Sequence, residues 1–307
     1  MSTVLISGAT GLVGSSLCQL LRNEGYEVRI LSRSVDAKSE YPVYKWDLNN
    51  NYIDERAFEK LDHIIHLAGS PIAGKKWTNA YKSEILDSRV KSTKLLESYI
   101  LKTKTQLKSF ISASAIGIYG NNMDNTPLNE STTLKKDSDE FLVNTCIAWE
   151  ESVDAIEKIG IRTSKVRIGI VLSTRGGALA KMLPSYRFGI GTYFGDGQQI
   201  YSWIHIDDLC SIFSYLLKSE NSGGIYNAVA PNPLSNRDLA SAISKAKGQK
   251  AILLPVPVMA LKIAMGEMTS IILDSANVYP QRLLDDGFKF NYPEIRPALE
   301  NLLEFKK

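Results

Sequence analysis

Short apolar runs alternate with stretches of helical periodicity through the first two-thirds of the chain. The apolar runs predict strands near 4–6, 28–31, 43–46, 63–67, 109–112 and 163–168. Between them, helical spacing predicts helices near 12–23, 80–101, 138–159 and 176–187. The 80–101 segment shows the period best, with Ile85, Leu86, Val90, Leu95, Leu96, Tyr99 and Ile100 favouring one face. Strands that alternate with helices imply a parallel, doubly wound sheet, because each parallel connection must cross over the sheet. Ligands bind such a sheet beyond the carboxyl ends of its strands. The polar segment 121–139, with Pro127 and several Asn, Asp, Ser and Thr, reads as a long loop over that crevice. After Gly189 the pattern is less regular, with helices expected near 207–218, 236–245, 256–264 and 294–305.

The sequence Gly8-Ala9-Thr10-Gly11-Leu12-Val13-Gly14 follows Val4-Leu5-Ile6 almost at once. A strand, a glycine-rich turn and a helix form a cradle for a dinucleotide diphosphate: the backbone comes close, and the free amides of the helix start point at the anion. The second strand ends at Leu31-Ser32-Arg33, where an NAD site usually carries an acid for the ribose hydroxyls. A guanidinium there pairs instead with a 2′-phosphate, so the expected cofactor is NADP(H). Asp36 serves a ribose if the strand ends later. Two roles fit Asp47 of Trp46-Asp47-Leu48: a hydrogen bond to the adenine amino group, with Leu48 flanking the ring, or an ordinary turn carboxylate. Leu67, Ala68 and Gly69 close the fourth strand, and their small size allows approach to the cofactor ribose. His63, His66 and His205 read as core or strand-end histidines, without metal-ligand spacing.

Composition narrows the setting. The 307 residues suffice for one large α/β domain with a smaller lobe. A net charge of +3 is too small to argue for a nucleic-acid or membrane partner. Cys18, Cys146 and Cys210 are an odd, widely spaced set, which favours a reducing cytoplasm over a disulfide framework. No signal peptide is expected, because the first strand starts at about residue 3, and no apolar run approaches the length of a membrane span.

These pieces resemble the extended short-chain dehydrogenase/reductase superfamily, which includes nucleotide-sugar epimerases and dehydratases. The matching residues are the glycine triplet, Asp47-Leu48, His66-Leu67-Ala68-Gly69, the run from Ser112 to Gly120, Arg167, and the run from Trp203 to Asp208. Within it the chain is similar to an atypical epimerase group described as NADP-dependent oxidoreductases with a C-terminal domain of unknown function. Lys76-Trp77-Thr78, Ser88-Arg89, Trp149-Glu150, Pro255-Val256-Pro257, Gly266-Glu267-Met268, Val278-Tyr279-Pro280 and 287–290 carry that likeness. The resemblance implies an α/β fold: a doubly wound parallel Rossmann sheet over 1–170, to which 200–230 returns, and a smaller C-terminal α/β substrate lobe from 171–199 and 231–307. It also implies a Ser or Thr, a Tyr, and a Lys four residues after that Tyr, for proton transfer.

The chain departs from that pattern. Counting back from Glu150 puts Leu142 at the Tyr position and Cys146 at the Lys position, and 141–158 contains no Tyr-x-x-x-Lys. The serine position falls on Ala115, one residue beyond Ser114. Ser114 and Tyr119, at the end of the fifth strand, are the candidate catalytic replacements. Arg89 reaches a cofactor phosphate or pairs with a carboxylate. Ile168 and Gly169 pass by the carboxamide, and Trp203, His205 and Asp207 line the substrate side, Asp207 equally fitting a helix start. Two functions follow. One is an enzyme using NADP(H) on a small hydroxylated or carbonyl substrate such as a nucleotide-sugar. The other is a non-catalytic NADP(H)-binding sensor or assembly protein, some relatives in the group being linked to cell division. The helices near 80–101 and 138–159 offer a surface for a homodimer.

Overall fold

The computed structural model describes residues 1–35, 38–135, 138–248 and 250–303. The chain opens with β1 (Thr3–Ser7), α1 (Leu12–Asn23), β2 (Glu27–Ser32), β3 (Val43–Asp47), β4 (Tyr52–Ile53) and β5 (His63–His66). It continues through α2 (Asn79–Thr103), β6 (Ser109–Ala115), α3 (Phe141–Lys158), β7 (Thr163–Ile168) and β8 (Ile170–Leu172). Next come α4 (Gly177–Tyr186), β9 (Ile190–Phe194), β10 (Ile200–Tyr201), β11 (Trp203–His205), α5 (Ile206–Lys218) and β12 (Gly224–Ala228). The C-terminal part holds β13 (Leu234–Ser235), α6 (Asn236–Ala246), β14 (Ile252–Val256), α7 (Val258–Met265), α8 (Ser270–Leu273), α9 (Gln281–Asp285) and α10 (Ile295–Leu303).

Eight strands form one sheet in the order β12-β7-β6-β5-β1-β2-β3-β4. Every pair in it is parallel except β3 with β4. This is the α/β parallel architecture that the alternation predicts. The chain builds outward from β1 to β3 and then returns to β5 on the other side of β1. Ser7 therefore faces Leu31 on one neighbour and His66 on the other. The carboxyl ends of β1 and β5 flank the place where strand order reverses, where an open α/β sheet leaves a crevice.

All five residues of β1 are buried, so both faces of the sheet are covered. The period of two sorts them: Val4 and Ile6 join Leu17, Cys18 and Leu21 of α1 and Leu209, Cys210 and Phe213 of α5. Leu5 points the other way, toward Leu95, Leu96 and Ile100 of α2 and Val153 and Ile156 of α3. A third cluster gathers later elements around Leu179, Tyr186, Trp203, Leu239, Ile243 and Leu299.

The helix expected from 256 is a correction. Residues 252–256 are strand β14, parallel to β9, and the helix starts at Val258. Pro255 and Pro257 lack the amide protons a helix interior needs, and Pro257 is instead tolerated as the cap. The 121–139 stretch does lack helix and strand where described, and the C-terminal segment holds it. Asn122 N donates to Ser275 O (2.8 Å), Leu128 N to Asn277 O (2.8 Å) and Tyr279 N to Leu128 O (2.7 Å). Among the described residues no helix is long and apolar enough to cross a membrane.

Candidate functional site

The glycine turn has the geometry of a cradle. Gly8 is left-handed (φ +73°), and a Cβ on it would sit 2.8 Å from the Leu67 carbonyl carbon and 2.9 Å from Ala68 N. Any other residue at this position would be strained and would collide with the β5 exit. A Cβ on Gly14 would lie 2.3 Å from Gly8 O, so the helix start is packed directly on the turn. Gly11 caps α1 without a side-chain acceptor, its own amide bonds Gly8 O (3.0 Å), and it is exposed. Thr10 is exposed, and Leu12 and Val13 are half-buried. The first amides of α1 thus start beside a turn of closely packed glycines with no side-chain cap on Gly11, the arrangement a diphosphate requires. Leu12 also touches the loop after β8: a Cβ on Gly176 would be 3.5 Å from its Cδ1. From that loop Arg175 donates to Ser16 Oγ of α1. Sequence reasoning missed Arg175, because no spacing ties a surface arginine to a helix about 160 residues earlier.

At the end of β2, Ser32 is half-buried and Arg33 exposed. Arg33 has no hydrogen bond or ion pair among the described residues, so its guanidinium is available to a ligand. Asp36 lies outside the described residues. The Asp47 carboxylate closes the turn after β3, accepting from Asn49 N (2.9 Å), Asn50 N (3.3 Å) and Asn50 Nδ2 (2.8 Å). These bonds hold its pKa below the usual carboxylate value. Leu48 packs against the β2–β3 side of the core.

His66 is a fully buried clamp between strands and helix. Ser7 Oγ accepts from Leu67 N (3.2 Å) and Ala68 N (3.4 Å), leaving its proton for His66 Nδ1 at 2.6 Å. Ser92 Oγ donates to Arg89 O (2.9 Å), leaving its oxygen for His66 Nε2–H at 2.9 Å. The network assigns the neutral ring with Nε2 protonated. Burial, with the nearby Arg89 charge, pushes the His66 pKa down to about 3.

Arg89 itself is 7% exposed and finds no carboxylate among the described residues. Its Nη1 donates to Ile85 O (2.8 Å) and Ser70 O (3.2 Å), and its Cζ lies 5.0 Å from the Trp149 ring centre. A Cβ on Gly69 would come within 3.0 Å of that Cζ, so the guanidinium lies against the exit of β5.

The two candidate catalytic residues lie where expected along the chain, Ser114 at the end of β6 and Tyr119 just after it. Ser114 is 3% exposed and donates to Glu150 Oε1 at 2.7 Å. The same carboxylate forms a two-pronged pair with Arg167, Nε to Oε1 and Nη2 to Oε2 both at 2.8 Å. Arg167 Nη1 donates to Tyr119 Oη (2.9 Å), and that hydroxyl has Asn227 Oδ1 at 2.8 Å and Asn129 O at 3.0 Å. Burial raises the Tyr119 pKa despite the neighbouring guanidinium. Both hydroxyls are held by the protein's own groups, Ser114 buried and Tyr119 half-buried. The sequence held a hint in Glu150 and Arg167, but nothing in their spacing shows that β7 presents one to the other.

The start of α3 borders the same region. A Cβ on Gly117 would sit 3.7 Å from Leu142 Cβ and 4.0 Å from Cys146 Sγ. Burial pushes the Cys146 thiol up to about 12, so it stays neutral. Nearby, Asn121 N donates to Glu140 Oε2 (3.3 Å) and Ser275 N donates to Asn121 Oδ1 (3.0 Å). Asp274, half-buried beside Ser275, is pushed up to about 6 by burial and by the Glu140 charge.

Ile168 and Gly169 are half-buried at the end of β7. A Cβ on Gly169 would be 2.5 Å from Ser202 O, so close packing of the residue before β11 already requires a glycine here. Trp203 and His205 do not line a substrate surface. Trp203 is fully buried with Nε1 on Asn232 O (2.9 Å), and His205 is buried and stacked on Tyr292 at 4.0 Å. Asp207 is exposed in the first turn of α5, and the His205 ring accepts its amide (3.1 Å). The buried acid of this motif is Asp208, which accepts from Asn291 N (2.8 Å) and Tyr292 N (2.9 Å).

Residues 4–228, which build the whole parallel sheet, match the model of the NAD dependent epimerase/dehydratase family. The chain belongs to that family. Residues 256–302 match a domain of unknown function, DUF1731. Epimerase family protein YfhF of Bacillus subtilis is 34% identical over 305 residues, covering 99% of each chain. The human epimerase family protein SDR39U1 (isoform 2), solved with NADPH, superposes with a TM-score of 0.86 at 29% identity over 98% of each chain. A nucleoside-diphosphate sugar epimerase from Corynebacterium glutamicum aligns at 32% identity and a TM-score of 0.78, covering 98% of this chain and 58% of its own. The epimerase match thus covers the cradle, Arg33, Arg89 and the Glu150–Arg167 pair, and leaves Asp274 in the C-terminal domain.

Proposed function

We propose that this epimerase family protein binds NADP(H) and acts on a small hydroxylated or carbonyl substrate, a nucleotide-sugar fitting the family best. One observation carries the reading: a glycine cradle that admits no Cβ at Gly8 or Gly14, one strand away from the exposed Arg33, which has no ion pair among the described residues. The cradle amides would hold the diphosphate, and Arg33, with Ser32, the adenosine 2′-phosphate. Leu67, Ala68 and Gly69 would flank the ribose, Asp47 and Leu48 the adenine, and Ile168 and Gly169 the carboxamide. The human relative solved with NADPH supports the phosphorylated form. When bound, the nicotinamide gives or takes a hydride.

The chain's own residues must manage the proton. Leu142 carries none and Cys146 stays neutral, so the Tyr–Lys pair of the superfamily is not the device here. Asp274, half-buried beside the Glu140 charge at the start of α3 and pushed up to about 6, would be the candidate for that proton. Ser114, Tyr119, Glu150 and Arg167 would serve as a structural network joining β6, α3 and β7. The test has two arms. Mass spectrometry of nucleotide released from the purified, denatured protein should find NADP(H). Product analysis on nucleotide-sugars and small carbonyls should find conversion that Asp274→Asn abolishes while NADPH binding persists. Release of NAD alone, or failure of NADPH to bind, would refute the cofactor assignment. Binding without turnover on any substrate would favour the second reading, a non-catalytic NADP(H) sensor, which the apolar Leu142 and neutral Cys146 also suit.

A further inference from the structure

We propose that Arg89 is the fixed positive charge of the site, gripping the hydroxyls of the nicotinamide-side ribose in place of the missing lysine. The proposal rests on NADP(H) binding as argued above, and assigns a part of the cofactor to a residue. Direction comes first. β2 and β5 lie on opposite sides of β1. With the diphosphate on the β1 turn and the 2′-phosphate beyond β2, the other half of the dinucleotide must run toward β5 and β6. Neighbouring strands are about 4.8 Å apart, so the β5 exit is one strand spacing further from Arg33 than the cradle is. Gly69 follows that exit, and the Arg89 guanidinium lies against it.

Charge comes second. A guanidinium that is 7% exposed, with no carboxylate among the described residues, is costly to bury. Burial lowers its pKa, yet an arginine stays protonated in any protein. Among the described residues only Nη1 is used, on two backbone carbonyls, so Nε and Nη2 keep donors for a ligand. The Trp149 face beneath it fixes the plane of the fork. Cys146, counted at the lysine position, lies close enough for the guanidinium charge to act on its thiol. The cation has moved from α3 to α2 while serving the same place. It orients a ribose; it cannot transfer a proton, so acid–base work falls to another group.

Calorimetry with two probes tests this. 2′-Phospho-ADP carries the diphosphate without the second ribose, and 2′-phospho-ADP-ribose adds that ribose. Arg89→Met should weaken 2′-phospho-ADP-ribose about tenfold, the size of a hydrogen bond from a charged donor, and leave 2′-phospho-ADP unchanged. Arg89→Lys, which keeps the charge and serves if the methionine variant does not fold, should lose less on the longer probe. Equal weakening of both probes would mean the guanidinium grips phosphate, and unchanged binding of both would mean it is structural; either overturns the assignment. If the wild type binds neither probe, the cofactor reading itself falls. Arg33→Ala, which should weaken both probes alike, separates the two failures.

Discussion

Replacing Arg167 by Met should strand a carboxylate in the protein interior. The side chains of Arg167 and Glu150 are 1% and 8% exposed, and two parallel bonds of 2.8 Å join them. Methionine fills much of the arginine volume, so the loss is one of charge and hydrogen bonds more than of packing. Among the described residues Glu150 would keep only the Ser114 hydroxyl, and Tyr119 would lose the guanidinium donor. Breaking one side of a buried pair costs about 3–5 kcal/mol, against roughly 0–1 kcal/mol for a solvated pair. Glu150→Gln should cost a similar amount by leaving the cation alone. The double variant Arg167→Met/Glu150→Leu removes both desolvation penalties and should recover at least half of the loss. Urea unfolding at pH 7, followed by far-UV circular dichroism with a constant m-value, measures all three. A single variant losing less than about 1 kcal/mol would refute the buried-pair argument. So would a double variant less stable than both singles.

Other expectations follow from the same structure. Gly14→Ala would drive a methyl into Gly8 O and the Ala9 backbone, so NADPH binding measured by fluorescence should be lost while the far-UV spectrum is kept. Arg33→Ala should weaken NADPH by about 1.5–3 kcal/mol and NADH far less, since only the former offers a 2′-phosphate; equal losses would remove that phosphate from the argument. Tyr119→Phe should lower the unfolding midpoint yet leave NADPH affinity unaltered, and a selective loss of turnover would restore the hydroxyl to catalysis. His66 titrates at about 3 folded and near 6.5 unfolded, so its neutral form stabilises the fold above pH 6.5 and that contribution is lost as the pH falls toward 3. Stability should therefore drop by about 1.4 kcal/mol per pH unit from this residue between those limits, and His66→Gln should flatten the slope by that amount.

Much of the fold is legible in the chain itself. The β1 turn is legible because three glycines spaced across a strand exit serve close backbone approach and little else. The neighbouring strands are legible because each is apolar and short. What escapes depends on contacts that spacing does not encode. Ser114 looks available in the sequence because nothing local predicts that Glu150, on the helix that follows β6, accepts its hydrogen bond. Trp203 and His205 read as surface for substrate, yet β11 tucks both under the C-terminal helix and Tyr292. Strand β14 ends where a helix is expected to open because its apolar residues suit either, and the two prolines that decide the matter act through missing amides. Asp274 gives no signal at all, since its near-neutral titration comes from burial and from a carboxylate more than a hundred residues earlier.

The order of the strands also governs how this chain can be born. The outer edge of the main sheet beyond β7 is closed by β12, and α1 is covered by α5, both made from residues after 200. A nascent polypeptide that has emerged only as far as β7 therefore carries an open sheet edge and a greasy helix face at once. Such a fragment invites chaperone capture or aggregation on the ribosome, and an expression truncation ending near residue 170 would inherit the same exposure.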